Sequence, residues 1–242
     1  MEEKIFFQAN VKHITLFLIM MLIMPANFAL AANITEEFYP LHQGNTWTYA
    51  TKEGGGSEET LRINGEEIIS GTNTVKLYSG LNSIDYEYEC FAFDSEGVKK
   101  YKTVDMEDEN YRIFDPPNIE VPGNIEIGGS VNYSTNLVIS AFDNKKIGDF
   151  RVNVQIKLVS AEDVAVPAGK FSDCLKFSLD VDWANTESHG KENRIFWLAR
   201  GVGKVKEVRI TTESAKDKEM EISAETRVLA SAIIDGKKIG GL

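Results

Sequence analysis

The 242-residue sequence predicts an all-β protein built on a curved antiparallel sheet, either a half-barrel or a sandwich. Apolar and polar residues alternate through 150–158, 175–183 and 220–228. A period of two over this length is typical of strands that bury one face and leave the other in water. After residue 31, no stretch has an apolar stripe at helical spacing, so helices are not expected there.

The elements follow in chain order. Residues 46–51, 74–78 and 86–93 are rich in aromatic and β-branched residues, which favour strands. In the stretch 220–228, Met220 and Ile222 are expected to face the core, with Arg227 in water. Glycine-containing pairs that favour turns separate these runs: Asn64-Gly65, Ser70-Gly71, Glu96-Gly97 and Asp235-Gly236, together with Asp143-Asn144.

Residues 1–31 have the pattern of a secretory signal peptide. Charged residues precede an apolar run from Ile14 to Met24, and Ala29 and Ala31 form a small-residue cleavage site. The run is shorter than the roughly 20 residues that a membrane-spanning helix needs. We therefore expect cleavage after Ala31, no transmembrane anchor afterwards, and a periplasmic or secreted bacterial protein with a single all-β domain over 32–242.

A proline-rich segment divides the rest of the chain. The prolines of 115–123 suggest an extended crossing, because proline cannot join the ladder of a central strand. On either side, short motifs recur in the same order, such as GNTWTY at 44–49 and GGSVNY at 128–133. This pattern predicts an internal duplication, with halves at about 38–120 and 121–242.

The net charge of −11 argues against a nucleic-acid partner, because an acidic surface repels phosphate. The two cysteines, Cys90 and Cys174, follow the predicted signal peptide. Export to an oxidising compartment permits a disulfide between them. Two buried free thiols fit the sequence equally well, since each cysteine precedes an apolar strand segment.

The densest pattern lies between residues 166 and 206. Val166, Pro167, Ala168 and Gly169 are predicted to form a turn, because proline presets φ and glycine is favoured later in the turn. Gly201 and Gly203 are expected to bend a strand. The conspicuous aromatic residues of this region are candidates to line a ligand cavity, although alternation favours a filled core: Phe171, Phe177, Trp183, Phe196 and Trp197.

The set VPAGKFSDCLK, WLARGVGKVK and the earlier FYPLHQGNTWTY resembles an uncharacterised family of bacterial exported proteins, the TapB-like or DUF-type domain of unknown function. The resemblance covers most of the chain after the signal peptide. It implies an exported, all-β protein and assigns no reaction. Arg200 departs from the expected pattern, which has proline or another small residue before GVG.

No catalytic, cofactor or metal motif is evident. Gly201-Val202-Gly203 lacks the third glycine and the helix of a nucleotide loop. His42, His189 and the cysteines have no zinc-ligand spacing. The acidic run from Asp105 lacks the glycine and glutamate of a calcium-binding EF-hand loop. The acidic turn that contains Asp180, Asp182, Asn185 and Glu187 fits solvent-facing positions better than a calcium site.

Two functional interpretations remain, and neither is enzymatic. The first is a structural or protein-interaction module of the cell envelope, whose partner would be another envelope protein. The second is a carrier that holds a hydrophobic small molecule, such as a lipid or acyl chain, in a partly closed barrel. A cavity of several hundred cubic ångströms would favour the carrier.

Overall fold

The computed structural model describes residues 31–33, 36–51, 57–216 and 219–241, and these residues form strands and turns. The predicted signal peptide at 1–31 lies almost wholly outside the described residues. The described strands are β1 (Ala31–Asn33), β2 (Thr46–Thr51), β3 (Glu58–Ile69), β4 (Thr72–Leu81), β5 (Ile84–Asp94), β6 (Gly97–Asp105), β7 (Asn110–Pro122), β8 (Asn124–Glu126), β9 (Ser130–Ala141), β10 (Lys146–Val166), β11 (Gly169–Ala184), β12 (Ser188–Ala199), β13 (Gly203–Ala215), β14 (Glu221–Ile234) and β15 (Lys237–Gly240).

The curved antiparallel sheet predicted from the sequence is confirmed, and it closes completely into a barrel. Its strands follow the order β13-β12-β11-β10-β9-β7-β6-β5-β4-β3-β2-β14, and β13 pairs with β14 to complete the ring. β15 forms a hairpin with the end of β14, and β1 pairs with β8 in a separate two-stranded ladder. Closure leaves the twelve strands of the ring without an unpaired edge.

The alternation predicted at 150–158 and 175–183 matches the burial pattern of β10 and β11. Val152, Val154 and Ile156 are buried and face inward, while Arg151 and Asn153 between them are exposed. Inward residues pair across the ladder, as Val154 does with Val181. These strands therefore build one wall of the barrel and much of its core.

The direction predicted for β14 is wrong. Arg227 lines the barrel interior, while Met220 and Ile222 are exposed on the outside. The physical reason is that this part of the interior is an ion-paired polar region, where Arg227 finds Glu59 at 3.0 Å. A period of two fixes which residues share a face and leaves open which face is inside.

A turn prediction and the predicted proline-rich crossing also change. Asn64-Gly65 lies at a register shift inside β3, where Gly65 has a φ of +89°, and the chain reverses later, at Ser70-Gly71. The proline-rich segment is part of β7, which pairs with β6 on both sides of Pro116 and Pro117. The border between the predicted halves thus falls within one strand, and the duplication itself stays a prediction.

Candidate ligand-binding cavity

One end of the barrel is closed by two segments that lie far apart in sequence. The Trp47 indole donates a hydrogen bond to the Val202 carbonyl at 2.6 Å, and the Tyr49 hydroxyl donates one to the Lys204 carbonyl at 2.7 Å. Gly203, with a φ of +92°, lies against Pro40 and Trp47. Glycine suits this position because it tolerates positive φ. The FYP and GVG motifs therefore meet and form a floor.

Arg200, the residue that departs from the expected pattern, fastens this floor. Its guanidinium group pairs with the Glu37 carboxylate and lies 4.6 Å from the ring centroid of Phe38. The Gly201 amide donates to the Glu37 carbonyl at 2.6 Å. Phe38 and the adjacent Tyr39 are buried. Arginine can make both contacts because its planar group pairs with carboxylates and stacks on aromatic faces.

A cavity of about 640 Å³ lies inside the barrel above this floor. Along β13, the side chains of its inward face become more exposed with distance from the floor. The side chain of Glu207 is 1% exposed, that of Arg209 is 29% exposed, and Glu213 is an exposed residue. The cavity therefore opens at the end opposite the floor. Its volume is within the range of about 300–1,000 Å³ that small-molecule sites occupy.

One side of the cavity is apolar. Its residues come from strands that are neighbours in the ring, and they face each other across the ladders, as Leu137 does with Phe150 and Val152 with Trp183. The indole of Trp183 covers Gly190 on the adjacent strand. The wall consists of Phe114, Leu137, Ile139, Phe150, Val152, Val181 and Trp183.

The rest of the lining includes many charged residues, with equal numbers of acids and bases among the described residues. Each base lies near at least one acid, as Lys100 does with Glu89 at 2.7 Å. Burying charges is tolerated when they are paired in this way. The six acids are Glu59, Glu87, Glu89, Glu120, Glu192 and Glu213, and the six bases are Lys100, Arg112, Arg194, Lys204, Arg209 and Arg227.

Arg194 is the centre of the ion-paired network. It donates two hydrogen bonds to Glu120, at 2.8 and 3.3 Å, and lies 3.7 Å from Glu207. All three residues are buried. Glu207 is further neutralised by Lys204 and by Arg209, which donates to it at 3.0 Å. The network joins β7, β12 and β13 across the inside of the barrel.

Two carboxylates of the cavity lining, Glu120 and Glu87, have pKa values shifted in opposite directions. Burial alone would raise the pKa of Glu120, but Arg194, with help from Lys100, outweighs it and lowers that pKa to about 2. Nearer the mouth, burial and then the charge of Glu89 raise the pKa of Glu87 to about 7. The closest cation to Glu87 is Arg112, at 4.0 Å. Glu120 is thus fully paired, whereas Glu87 is not.

Comparison with known proteins decides the family. A family model described as DUF3108-like matches residues 58–226, more than half of the chain. The chain belongs to the DUF3108-like family. The match runs from β3 into β14 and so includes most of the cavity walls. The sequence resemblance to a DUF-type family of unknown function is confirmed at this level.

Two solved structures are similar to this DUF3108-like chain. A predicted lipoprotein of Parabacteroides distasonis aligns at 14% identity over 79% of this chain and 96% of its own, with a TM-score of 0.40. A predicted exported protein with a YmcC-like fold from Bacteroides fragilis aligns at 12% identity over 78% and 94%, also with a TM-score of 0.40. No protein of curated function matches the chain.

The five aromatic residues singled out from the sequence separate in this DUF3108-like barrel. Trp183 lines the cavity. Phe177 and Phe196 are stacked in the core with their centroids 5.2 Å apart, and Phe171 packs against that core. Trp197 donates to Glu162 at 2.7 Å and lies beside the amines of Lys176 and Lys206, away from the cavity. Four of the five residues therefore lie outside the cavity lining, and only Trp183 has the predicted position.

The motif residues lie at turns. Val166 pairs with Gly169, so Pro167 and Ala168 form the two-residue turn between β10 and β11. The Ala168 amide donates to the Leu229 carbonyl at 2.9 Å, which ties this turn to β14. Gly201 has a φ of +72° in the turn between β12 and β13, and Gly203 begins β13.

Cys90 on β5 and Cys174 on β11 are both free and buried in the structure. Burial raises the pKa of each thiol to about 11. Within the described residues, no group of three or more histidine, cysteine or acidic side chains is arranged to hold a metal ion. His42 instead pairs with Asp235 at 2.9 Å. The same part of the chain contains no helix capable of crossing a membrane.

Sequence reasoning missed the charged lining of the DUF3108-like cavity. Glu192 and Arg194 on β12, and Glu207 and Arg209 on β13, occupy alternate positions. That spacing resembles a solvated strand face, and the sequence interpretation treated such positions as wet. The available signal was their opposite charge: acids and bases two residues apart on adjacent strands can neutralise each other inside a barrel.

Proposed function

We propose that this DUF3108-like chain is an exported envelope protein that binds an amphipathic small molecule inside its barrel and catalyses no reaction. The observation that carries the proposal is the 640 Å³ cavity with one apolar wall. The signal-peptide pattern at 1–31 supports export. We also propose, from the sequence resemblance, that the chain is TapB-like. The non-catalytic interaction module favoured by the sequence becomes the alternative.

The lining indicates which kind of amphiphile fits. An apolar chain or ring would lie against Phe150, Trp183 and their neighbours, removing apolar surface from water. The polar end would lie among six acids and six bases, whose numbers balance and most of which are ion-paired. A net charge on the ligand would compete with these buried pairs, and breaking such a pair is costly. We therefore infer an uncharged or zwitterionic polar end.

The cavity also favours binding over a purely structural role. Small barrels that serve only as scaffolds fill their interior with side chains, whereas larger ones enclose a ligand cavity. Here a mixed apolar and polar lining surrounds an open space, and mixed linings are typical of sites that orient a ligand.

The test uses a zwitterionic amphiphile, lysophosphatidylcholine below its micelle concentration, titrated into the exported protein. Binding would be followed by isothermal titration calorimetry and by the melting temperature. Ile139 lines the cavity, so the larger side chain of Ile139→Trp should occupy part of it and weaken binding at least about tenfold. Val138→Trp, on the outer face of the same strand, is the matched control and should bind like the wild type. Equal binding by both variants would refute a site in the barrel.

A further inference from the structure

Three hairpin turns at the mouth of the barrel expose large apolar side chains. Ile84 follows the turn between β4 and β5, Phe142 and Ile147 flank the turn between β9 and β10, and Met220 and Ile222 lie where β14 begins. Their residue exposures range from 49% for Phe142 to 72% for Ile84. Each is well exposed, although exposing such side chains to water is unfavourable.

These three turns are evenly spaced around the ring. β6 and β7 lie between the first and second hairpins, β11 and β12 between the second and third, and β2 and β3 between the third and first. Two strands therefore separate each apolar turn from the next. The turns mark the corners of a triangle around the opening of the cavity.

The two intervening turns that the structure describes are polar. The turn between β6 and β7 exposes Glu107, Asp108 and Glu109, and the turn between β11 and β12 exposes Asn185 and Glu187. Among the turns that the structure describes, apolar and polar tips thus alternate around the mouth. Scattered apolar residues on a surface need no explanation, but five on three evenly spaced turns form a pattern.

We propose that this apolar rim, defined as Ile84, Phe142, Ile147, Met220 and Ile222, docks the barrel mouth-down on a zwitterionic lipid surface. Three separated points define a plane, and a lipid layer is a flat apolar medium that all three can enter together. A protein partner would instead need one contiguous, complementary patch. The acidic turns between the points would repel an anionic surface, which makes a zwitterionic one the better match.

The inference rests on the proposed function and supplies a path by which the ligand enters the cavity. With the mouth against the lipid layer, an amphipathic molecule enters the cavity without its apolar part crossing water. Trp183, Phe150 and Ile139 lie at the mouth side of the apolar wall and would receive it first. Docking and binding are nevertheless separate events, because the rim residues lie outside the cavity lining.

The experiment compares two triple variants of the chain purified after export, with the N terminus checked by mass spectrometry. The rim variant carries Ile84→Glu, Phe142→Glu and Ile222→Glu. The control variant carries Ile68→Glu, Ile127→Glu and Ile233→Glu, which are similarly exposed positions at the floor end. Co-flotation with phosphatidylcholine vesicles measures docking, and titration with monomeric lysophosphatidylcholine measures cavity binding.

The wild type and the control should float with the vesicles, and the rim variant should lose at least about tenfold in vesicle partition while keeping its affinity for lysophosphatidylcholine. Absence of flotation for the wild type, or equal loss in both variants, would overturn the docking. If the cavity still binds lysophosphatidylcholine in that case, the proposed function stands alone. If the rim variant changes only the self-association of the protein, the rim binds a second copy of the chain, and the proposed docking on lipid is overturned.

Discussion

The indole of Trp183 lies directly against Gly190 on the neighbouring strand, where a β-carbon would be only 2.3 Å from Cζ2 of the ring. The two residues are paired in the β11–β12 ladder. Because glycine has no side chain, the ring can lie close to the wall and leave the cavity open. An aromatic residue covering a strand glycine in this way also shields its backbone.

Gly190→Ala should therefore push Trp183 into the cavity. We expect a loss of about 1–3 kcal/mol in the free energy of unfolding, measured by urea titration, together with weaker amphiphile binding. Gly148→Ala is the control, since its added β-carbon would be in ordinary contact with Phe150 at 3.5 Å. Equal effects at the two glycines would contradict this account of the wall.

The ion pair between Glu120 and Arg194 predicts a large stability effect. Glu120→Gln removes the charge and leaves Arg194 buried with less compensation, which should cost about 3–5 kcal/mol at neutral pH. The exposed pair of Asp182 and Lys191, at 3.0 Å, is the control, and Asp182→Asn should cost less than about 1 kcal/mol. If urea titration finds similar losses in the free energy of unfolding for both variants, burial does not set the strength of the Glu120–Arg194 pair.

The same pair fixes an acid dependence. The pKa of Glu120 is lowered to about 2 in the folded state, below its ordinary value of 4.5. Its contribution is therefore present above pH 4.5 and is lost as the pH falls toward 2. The difference in unfolding free energy between the wild type and Glu120→Gln should shrink over that window.

Glu87 predicts the opposite pH dependence. Burial and the neighbouring Glu89 raise the pKa of Glu87 to about 7, above its ordinary value of 4.5. Because the folded protein binds this proton more tightly, Glu87 stabilises the fold fully below pH 4.5. That stabilisation is lost as the pH rises through 7. Glu87→Gln should therefore gain stability relative to the wild type between pH 4.5 and 8, by on the order of 1 kcal/mol. Unfolding curves that show a constant difference across this range would rule out the raised pKa.

The free cysteines predict a simple chemical result. Because burial raises the pKa of Cys90 and Cys174 to about 11, both should resist iodoacetamide in the native protein. After unfolding without a reductant, mass spectrometry should find both thiols alkylated. Alkylation that requires a reductant would instead establish the disulfide that the oxidising compartment permits.

The sequence predicts the strands of this barrel better than its interior. Val152, Val154 and Ile156 alternate with polar residues, and that period fixes their strand and their shared face. It leaves the choice of inner face open at Arg227 and Ile222, because Glu59 reaches Arg227 only through the pairing of both β3 and β14 with β2. Likewise, local sequence cannot show that Trp47 and Val202 meet, since that contact depends on the whole strand order.

Of the residues that the sequence suggested as cavity lining, only Trp183 lines the cavity. Phe177 and Phe196 attract attention by their size, yet they stack on each other near the floor, where the barrel is filled. The charged lining depends on long-range pairs such as Glu120 with Arg194, which are 74 residues apart. Such pairs cannot be read from spacing along one strand, because the register of distant strands places them together.

Native mass spectrometry of the protein purified after export, without detergent, tests the central claim most directly. The account predicts a complex with one uncharged or zwitterionic amphiphile, which is retained in Val138→Trp and lost in Ile139→Trp. The account would be contradicted by protein that carries no such molecule and whose melting temperature no added amphiphile raises.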